Sequence, residues 1–180
     1  MSAETTNYDD VKQYRLDPER EQELVNTAGE CVFCWANKAG HPIGVVTAYV
    51  PVKGKIWMTA TRERVRVKAI SRDGRSSVVM SSKGTPMGGG KTVTYKGHTV
   101  VHEDRETKLW MYNLLARGMA ASGDDGNAFT SGLNPELFVK FLDTPERVVL
   151  EFTSEMSIPF DGDKMAEGTA AAYAEFAKQV

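Results

Sequence analysis

IGVVTAYVPVKGKIWMTAT, residues 43–61, is the stretch on which the reading of this chain turns. Two apolar runs, 43–50 and 55–60, flank the turn PVKG, a strand–turn–strand pattern. In the second run Ile56, Met58 and Ala60 fall on one face, and Trp57, Thr59 and Thr61 on the other. The first run is apolar at successive positions, which predicts a strand buried on both faces.

Outward from this pair the strand signal continues. CVFCWAN (31–37) precedes it across the loop KAGHP; RSSVVMSS (75–82), the strand over 91–103 and ERVVLEFT (146–153) come after it. Helices are fewer. Asp17 and Pro18 open a short one, and 61–73 reads as another, with Thr61 as its N-cap and Gly74 as its stop. Asp104 caps a longer helix, Asn134-Pro135 starts one running through Leu142, and SIPFDGD leads into an alanine-rich helix at the C-terminus. About six short strands with peripheral helices predict a mainly-β α+β fold, a small antiparallel barrel with helices packed outside. The organisation expected is a flexible arm over 1–16 and a single domain over 17–180, with 122–133 as a polar loop of functional length.

Composition narrows the functional classes. The chain has 180 residues, 41% hydrophobic and 26% charged, with net charge −2 and a pI of about 6.0. These values are those of a globular domain and give no global case for nucleic acid. The longest apolar run, CVFCWA, is too short to span a bilayer, and the acidic start MSAETTNYDD shows no signal peptide, so cytoplasmic residence is the expectation.

Three motifs invite chemistry. GTPMGGGKT (84–92) ends like a phosphate-binding P-loop, but the first glycine of that pattern would stand at 85, which is Thr85. The next residues, TVTYKGHTVV, form a strand and not the helix whose N-terminus would hold phosphate, so a glycine-rich turn opening a strand at Lys91 is expected. Cys31 and Cys34 form a C-x-x-C inside a strand, where residues three apart point to opposite faces. With His98 and His102 so far downstream, no metal site is expected.

The third motif is TATRERVRVKAISRDGR (59–75). Arg62, Arg64, Arg66, Lys68, Arg72 and Arg75 stand there against only Glu63 and Asp73. The hydroxyls of Thr59 and Thr61 at a strand end, a helix start, and Arg66 and Lys68 just beyond predict an anchor for a phosphate group.

The ordered series HPIGVVTAYVPVKGKIWMTATRERVRVKAISRDGRSSVVM, followed by KTVTYKGHTVV, resembles the pyridoxamine 5'-phosphate oxidase-like proteins, the split β-barrel flavin or deazaflavin family. The likeness covers residues 30–104 and returns weakly at ERVVLEFTSEMSIPFDGDKM. It implies a split barrel and a homodimer with a cofactor at each end of its interface, FMN or alternatively F420. It would set Thr59, Thr61, Arg66 and Lys68 on the cofactor phosphate, with Met58 and Ala60 offering backbone to the ring. Val46 and Thr47 would lie beneath the ring, and Lys91 and Thr92 would reach it from the other subunit. The C-terminus has no arginine after Arg147 and no tryptophan after Trp110, which speaks against vitamin B6 as substrate. The R-x-K spacing of Arg66 and Lys68 is also similar to that of F420-binding relatives. The function implied is a flavin- or deazaflavin-dependent oxidoreductase acting on a small organic molecule, with no catalytic residue assigned. The alternative is a non-catalytic cofactor- or tetrapyrrole-binding protein on the same barrel.

Overall fold

The structure is a computed structural model, and it describes residues 9–121 and 133–179. Part of the expected N-terminal arm and almost all of the loop 122–133 lie outside the described residues. Among the described residues there are seven strands: β1 (Glu30–Ala36), β2 (Pro42–Ala48), β3 (Val50–Val52), β4 (Lys55–Thr61), β5 (Arg75–Ser81), β6 (Lys91–His102) and β7 (Arg147–Asp161). The helices are α1 (Pro18–Thr27), α2 (Val65–Arg72), α3 (Arg105–Ala121), α4 (Pro135–Leu142) and α5 (Gly162–Ala177), preceded by a 3₁₀ turn at Val11–Tyr14. One sheet holds all seven strands, in the order β2-β1-β5-β6-β7-β4-β3. The chain is thus mainly β with helices, on an antiparallel sheet, as its alternation patterns predict. No helix among the described residues is long and apolar enough to cross a membrane.

The chain divides into two compact units, the larger comprising Gly29–Val78 and Tyr95–Met156. Within it β1 pairs antiparallel with β2 (Cys31 opposite Thr47, Cys34 opposite Gly44), and β4 with β7 (Trp57 opposite Glu151, Thr59 opposite Val149). β4 is buried on both faces. Ile56, Met58 and Ala60 turn one way, while Trp57 turns the other and packs with Val149 against Met111, Tyr112 and Ala116 of α3 and Phe138 and Leu142 of α4. Asp104 and Asn134 start α3 and α4 as expected, their side chains accepting from Thr107 N (2.8 Å) and Leu137 N (3.1 Å).

Three local readings are corrected. β2 is exposed or half-buried along its whole length, not buried on both faces. It is an edge strand, paired only with β1, so its apolar composition reflects no second layer within this unit. Thr61 does not cap a helix. It is the last residue of β4, and α2 begins at Val65 after a turn in which Arg64 N donates to Thr61 O (3.0 Å). The last strand does not stop at 153 but runs on to Asp161, extended conformation carrying through Pro159.

Glycine is indispensable at one sheet position. A Cβ on Gly97 of β6 would stand 2.0 Å from the carbonyl oxygen of Thr153 on β7, inside any allowed contact.

The smaller unit comprises the described residues up to Ala28, Val79–Thr94, and those from Ser157 onward. Tyr14, Leu16, Leu24 and Val25 are its buried apolar residues near the N-terminus. Asp161 caps α5: its buried carboxylate accepts from Asp163 N (3.0 Å) and pairs with Arg20 (3.4 Å). Lys164 reaches back to Asp17 (2.7 Å) and to Arg15 O (3.0 Å).

Candidate functional site

The sequence points to two sets of residues, and each falls within one unit. In the smaller unit Gly84, Gly88 and Gly90 take the positive φ that the loop requires, and the chain then enters β6 and not a helix, so no P-loop forms. Lys91 is buried there. Its ammonium pairs with Asp163 at the start of α5 and donates to Met87 O (3.1 Å) and Gly89 O (3.3 Å). All three N–H donors of the side chain are thereby engaged, and the buried cation is neutralised. Thr92, next along β6, is half-buried.

The larger unit holds the rest. Val46 on β2 is 63% exposed and Thr47 beside it half-buried. Met58 and Ala60 on β4 are buried, so what they could offer a ligand is backbone. The Thr59 hydroxyl donates to Val148 O at 3.0 Å, a bond within the sheet, and Thr61 is half-buried at the strand end.

Beyond the turn, α2 carries Arg66 and Lys68 two positions apart, so at 3.6 residues per turn their side chains leave the axis in nearly opposite directions. Lys68 is exposed and pairs with Glu63 (2.5 Å), whose carboxyl the lysine holds below the usual carboxylate range. Arg66 is half-buried, and its side chain makes no hydrogen bond or ion pair among the described residues. Its pKa is pushed down, first by burial and then by the like charge of Arg64. A desolvated guanidinium beside another cation, lacking an anion, is energetically incomplete. What would complete it is a negatively charged group.

The C-x-x-C behaves as its strand predicts. Cys31 is buried on the face shared with Phe33 and Trp35, and its thiol is pushed up to about 12, chiefly by burial and then by Cys34 and Glu30. Cys34 points to the opposite face and is also raised, by burial alone. Neither is a ready nucleophile. Among the described residues no group of three or more His, Cys, Asp or Glu is arranged to hold a metal.

Sequence reasoning misses two arrangements. One is a polar network on the outer side of β4: His102 Nε2 lies 2.9 Å from Glu151 Oε2, its ring stacks on Trp57 with centroids 5.7 Å apart, and Lys55 also pairs with Glu151. Burial alone would raise the Glu151 carboxyl, but the hydrogen bonds from Lys55 and His102 overcome this and leave it lowered. Only the register that sets Glu151 opposite Trp57 brings these groups together, and nothing local to the sequence encodes it. The other is a hollow between the β1–β2 turn and α2, lined in part by Lys38 and Arg72.

No family model and no curated protein matches the sequence, so the likenesses found are structural. A conserved hypothetical protein of Mycobacterium tuberculosis superposes with a TM-score of 0.68 at 14% identity, over 86% of this chain and 90% of its own. A Clostridium acetobutylicum protein related to general stress protein 26, of the pyridoxinephosphate oxidase family, gives 0.56 at 16% identity, over 83% and 99%. A structure described as an F420 reductase gives 0.55 at 12%, over 76% and 94%. The fold is therefore common to this chain and to these proteins. Identities this low carry the fold and not the chemistry.

Proposed function

We propose that this chain, which has the fold of the pyridoxamine 5'-phosphate oxidase-like proteins, is a flavin- or deazaflavin-dependent oxidoreductase acting on a small organic molecule. The observation that carries the reading is Arg66. It is a half-buried guanidinium without an anion, one turn beyond the strand whose end bears Thr59 and Thr61. A cofactor phosphate supplies the missing charge through paired, charge-assisted hydrogen bonds that arginine's planar fork suits.

Around that anchor the other residues take supporting parts. Thr61 completes the phosphate end, Thr59 holding the strand end in place through its bond to Val148 O, while Lys68, on the far side of α2 and paired with Glu63, stays outside it. The backbone of Met58 and Ala60 meets the ring edge, and the β2 strand at Val46 and Thr47 lies beneath it. The molecule works as a homodimer, in which Lys91 and Thr92 of a second copy close the other side of the ring. Lys91 contributes there through its place in the chain, because its ammonium is already committed to Asp163, Met87 O and Gly89 O.

A bound flavin or deazaflavin supplies two-electron transfer by itself, so the protein's task is to bind it, orient it and admit the substrate. FMN is the first choice of cofactor and F420 the second; the F420 reductase sharing this fold supports keeping both.

The test is titration of the purified protein with FMN and with F420, monitored by quenching of cofactor fluorescence. At least one should bind, and Arg66→Ala should weaken it about tenfold or more, the loss expected for a charge-assisted hydrogen bond. Affinity unchanged by Arg66→Ala would remove the anchor and with it the assignment.

A further inference from the structure

Among the described residues α5 is the one α-helix with no buried residue, although at 16 residues it is second in length only to α3. Its first turn is tied down. Gly162 N donates to Gly90 O (3.0 Å), Asp163 pairs with the buried Lys91, and Lys164 reaches Asp17 (2.7 Å). Along the rest of the helix only positions 168 and 172 are half-buried. With 164 they make a ridge, spaced by four, that lies toward the N-terminal segment: a Cβ on Gly168 would stand 2.8 Å from the Tyr14 hydroxyl.

The neighbouring face is open. Met165, Ala166, Thr169, Ala170, Tyr173 and Phe176 fall within one sector of about 140° around the axis. All six are exposed, Tyr173 by 72% and Phe176 by 62%, and Thr169 is the only polar member. The charged residues Asp163, Lys164, Glu167 and Glu175 fall outside the sector. A helix of this length draws most of its stability from packing its apolar face, and none of the described residues of its own chain covers this one.

The face is graded in size. Its N-terminal half has one long side chain, Met165, among Ala166, Thr169 and Ala170; its C-terminal half carries both rings. Two copies of such a face fit each other in one orientation. Laid antiparallel about Ala170, they set Tyr173 beside the partner's Ala166 and Phe176 beside the partner's Met165, a favourable sulfur–aromatic contact. Parallel pairing would set ring against ring and leave the small halves unfilled. Small residues at the crossing let the axes approach closely, and antiparallel helices align opposite ends of their dipoles. Self-complementarity of this kind is what a two-fold contact between identical chains requires. α5 also starts beside the residue that the proposed function gives to a second copy, since Asp163 pairs with Lys91.

We propose that the apolar face of α5 is an interface with a second copy of this chain, formed by antiparallel packing of the two C-terminal helices with Ala170 at the crossing. It rests on the cofactor reading only for the placing of Lys91, and the helix contact itself needs no cofactor.

Introduced cysteines read this geometry. Under mild oxidation Ala170→Cys should form a covalent dimer, because the two copies of that position meet within disulfide reach. Ala171→Cys, turned toward the charged side, should run as a monomer on a non-reducing gel, as should the wild type with its buried Cys31 and half-buried Cys34. In sedimentation equilibrium without added cofactor, Phe176→Glu should weaken dimerisation at least about thirtyfold, with circular dichroism unchanged. Cross-linking of Ala170→Cys no faster than that of Ala171→Cys, association unaltered by Phe176→Glu, or a wild type that stays monomeric overturns the proposal. If the cross-link forms and neither FMN nor F420 binds, the proposed function falls and the interface stands. If a cofactor binds and the α5 variants change nothing, the reverse is true.

Discussion

β2 and β4 look alike as sequence and differ as structure. Each is a seven-residue strand rich in apolar residues, yet β4 is buried on both sides and β2 on neither. β4 lies inside the sheet between β7 and β3, with α3 and α4 covering Trp57, whereas β2 is an edge. An apolar strand that its own chain leaves uncovered is a surface prepared for something else. Under the proposed function that something is a cofactor ring and a second subunit, lying over Val46 and Thr47.

The comparison breaks most visibly at Met58. Truncation to alanine inside β4 should cost about 2–5 kcal/mol by denaturant unfolding, the usual range for a buried long apolar side chain. A loss under about 1 kcal/mol would mean that β4 is no better packed than β2.

A smaller effect sharpens the picture of β4's outer side. Glu151 faces Trp57 and takes hydrogen bonds from Lys55 and His102, so its pKa is lowered on folding. Stability from such a group is present above the ordinary glutamate pKa, near 4.3, and drains away as pH falls through the folded-state value. Glu151→Gln should therefore cost about 1 kcal/mol near neutral pH and less at acid pH. In thermal melts the gap between variant and wild type should narrow from pH 6 to pH 3; a constant gap would show that the carboxylate's charge contributes nothing.

The smallest effect belongs to β2. Val46→Ala should change the stability of the cofactor-free protein by no more than about 0.5 kcal/mol, as for most exposed sites. The same substitution should weaken cofactor binding several-fold in the fluorescence titration. If Val46→Ala destabilised the free protein as much as Met58→Ala, the two strands would not differ in the way described.

How much of the molecule is legible in its sequence depends on how local each feature is. The alternation in 56–61, the caps Asp104 and Asn134, and the strand after the glycine loop are all encoded within a few residues, and each is readable there. The burial of β2 is misread because an apolar run looks the same whether or not its own chain covers it. The basic segment is visible as charge. That Arg66 is half-buried and unpaired while Lys68 meets Glu63 across an exposed face depends on where α2 starts, and the turn at 62–64 shifts that start by several residues from Thr61. The network joining Lys55, His102 and Glu151 draws on three strands distant in sequence, and no local pattern announces it.

Gly97 carries a consequence for the chain's ancestry and its engineering alike. Even the smallest side chain at that position would collide with the neighbouring strand's oxygen, and β6 could not yield without pulling the sheet apart. In a saturation library screened for folded protein, this codon should tolerate no other amino acid. A glycine followed by the alternating strand HTVV is accordingly a sharper tag for recognising distant kin of this chain than the lysine-bearing glycine loop before it.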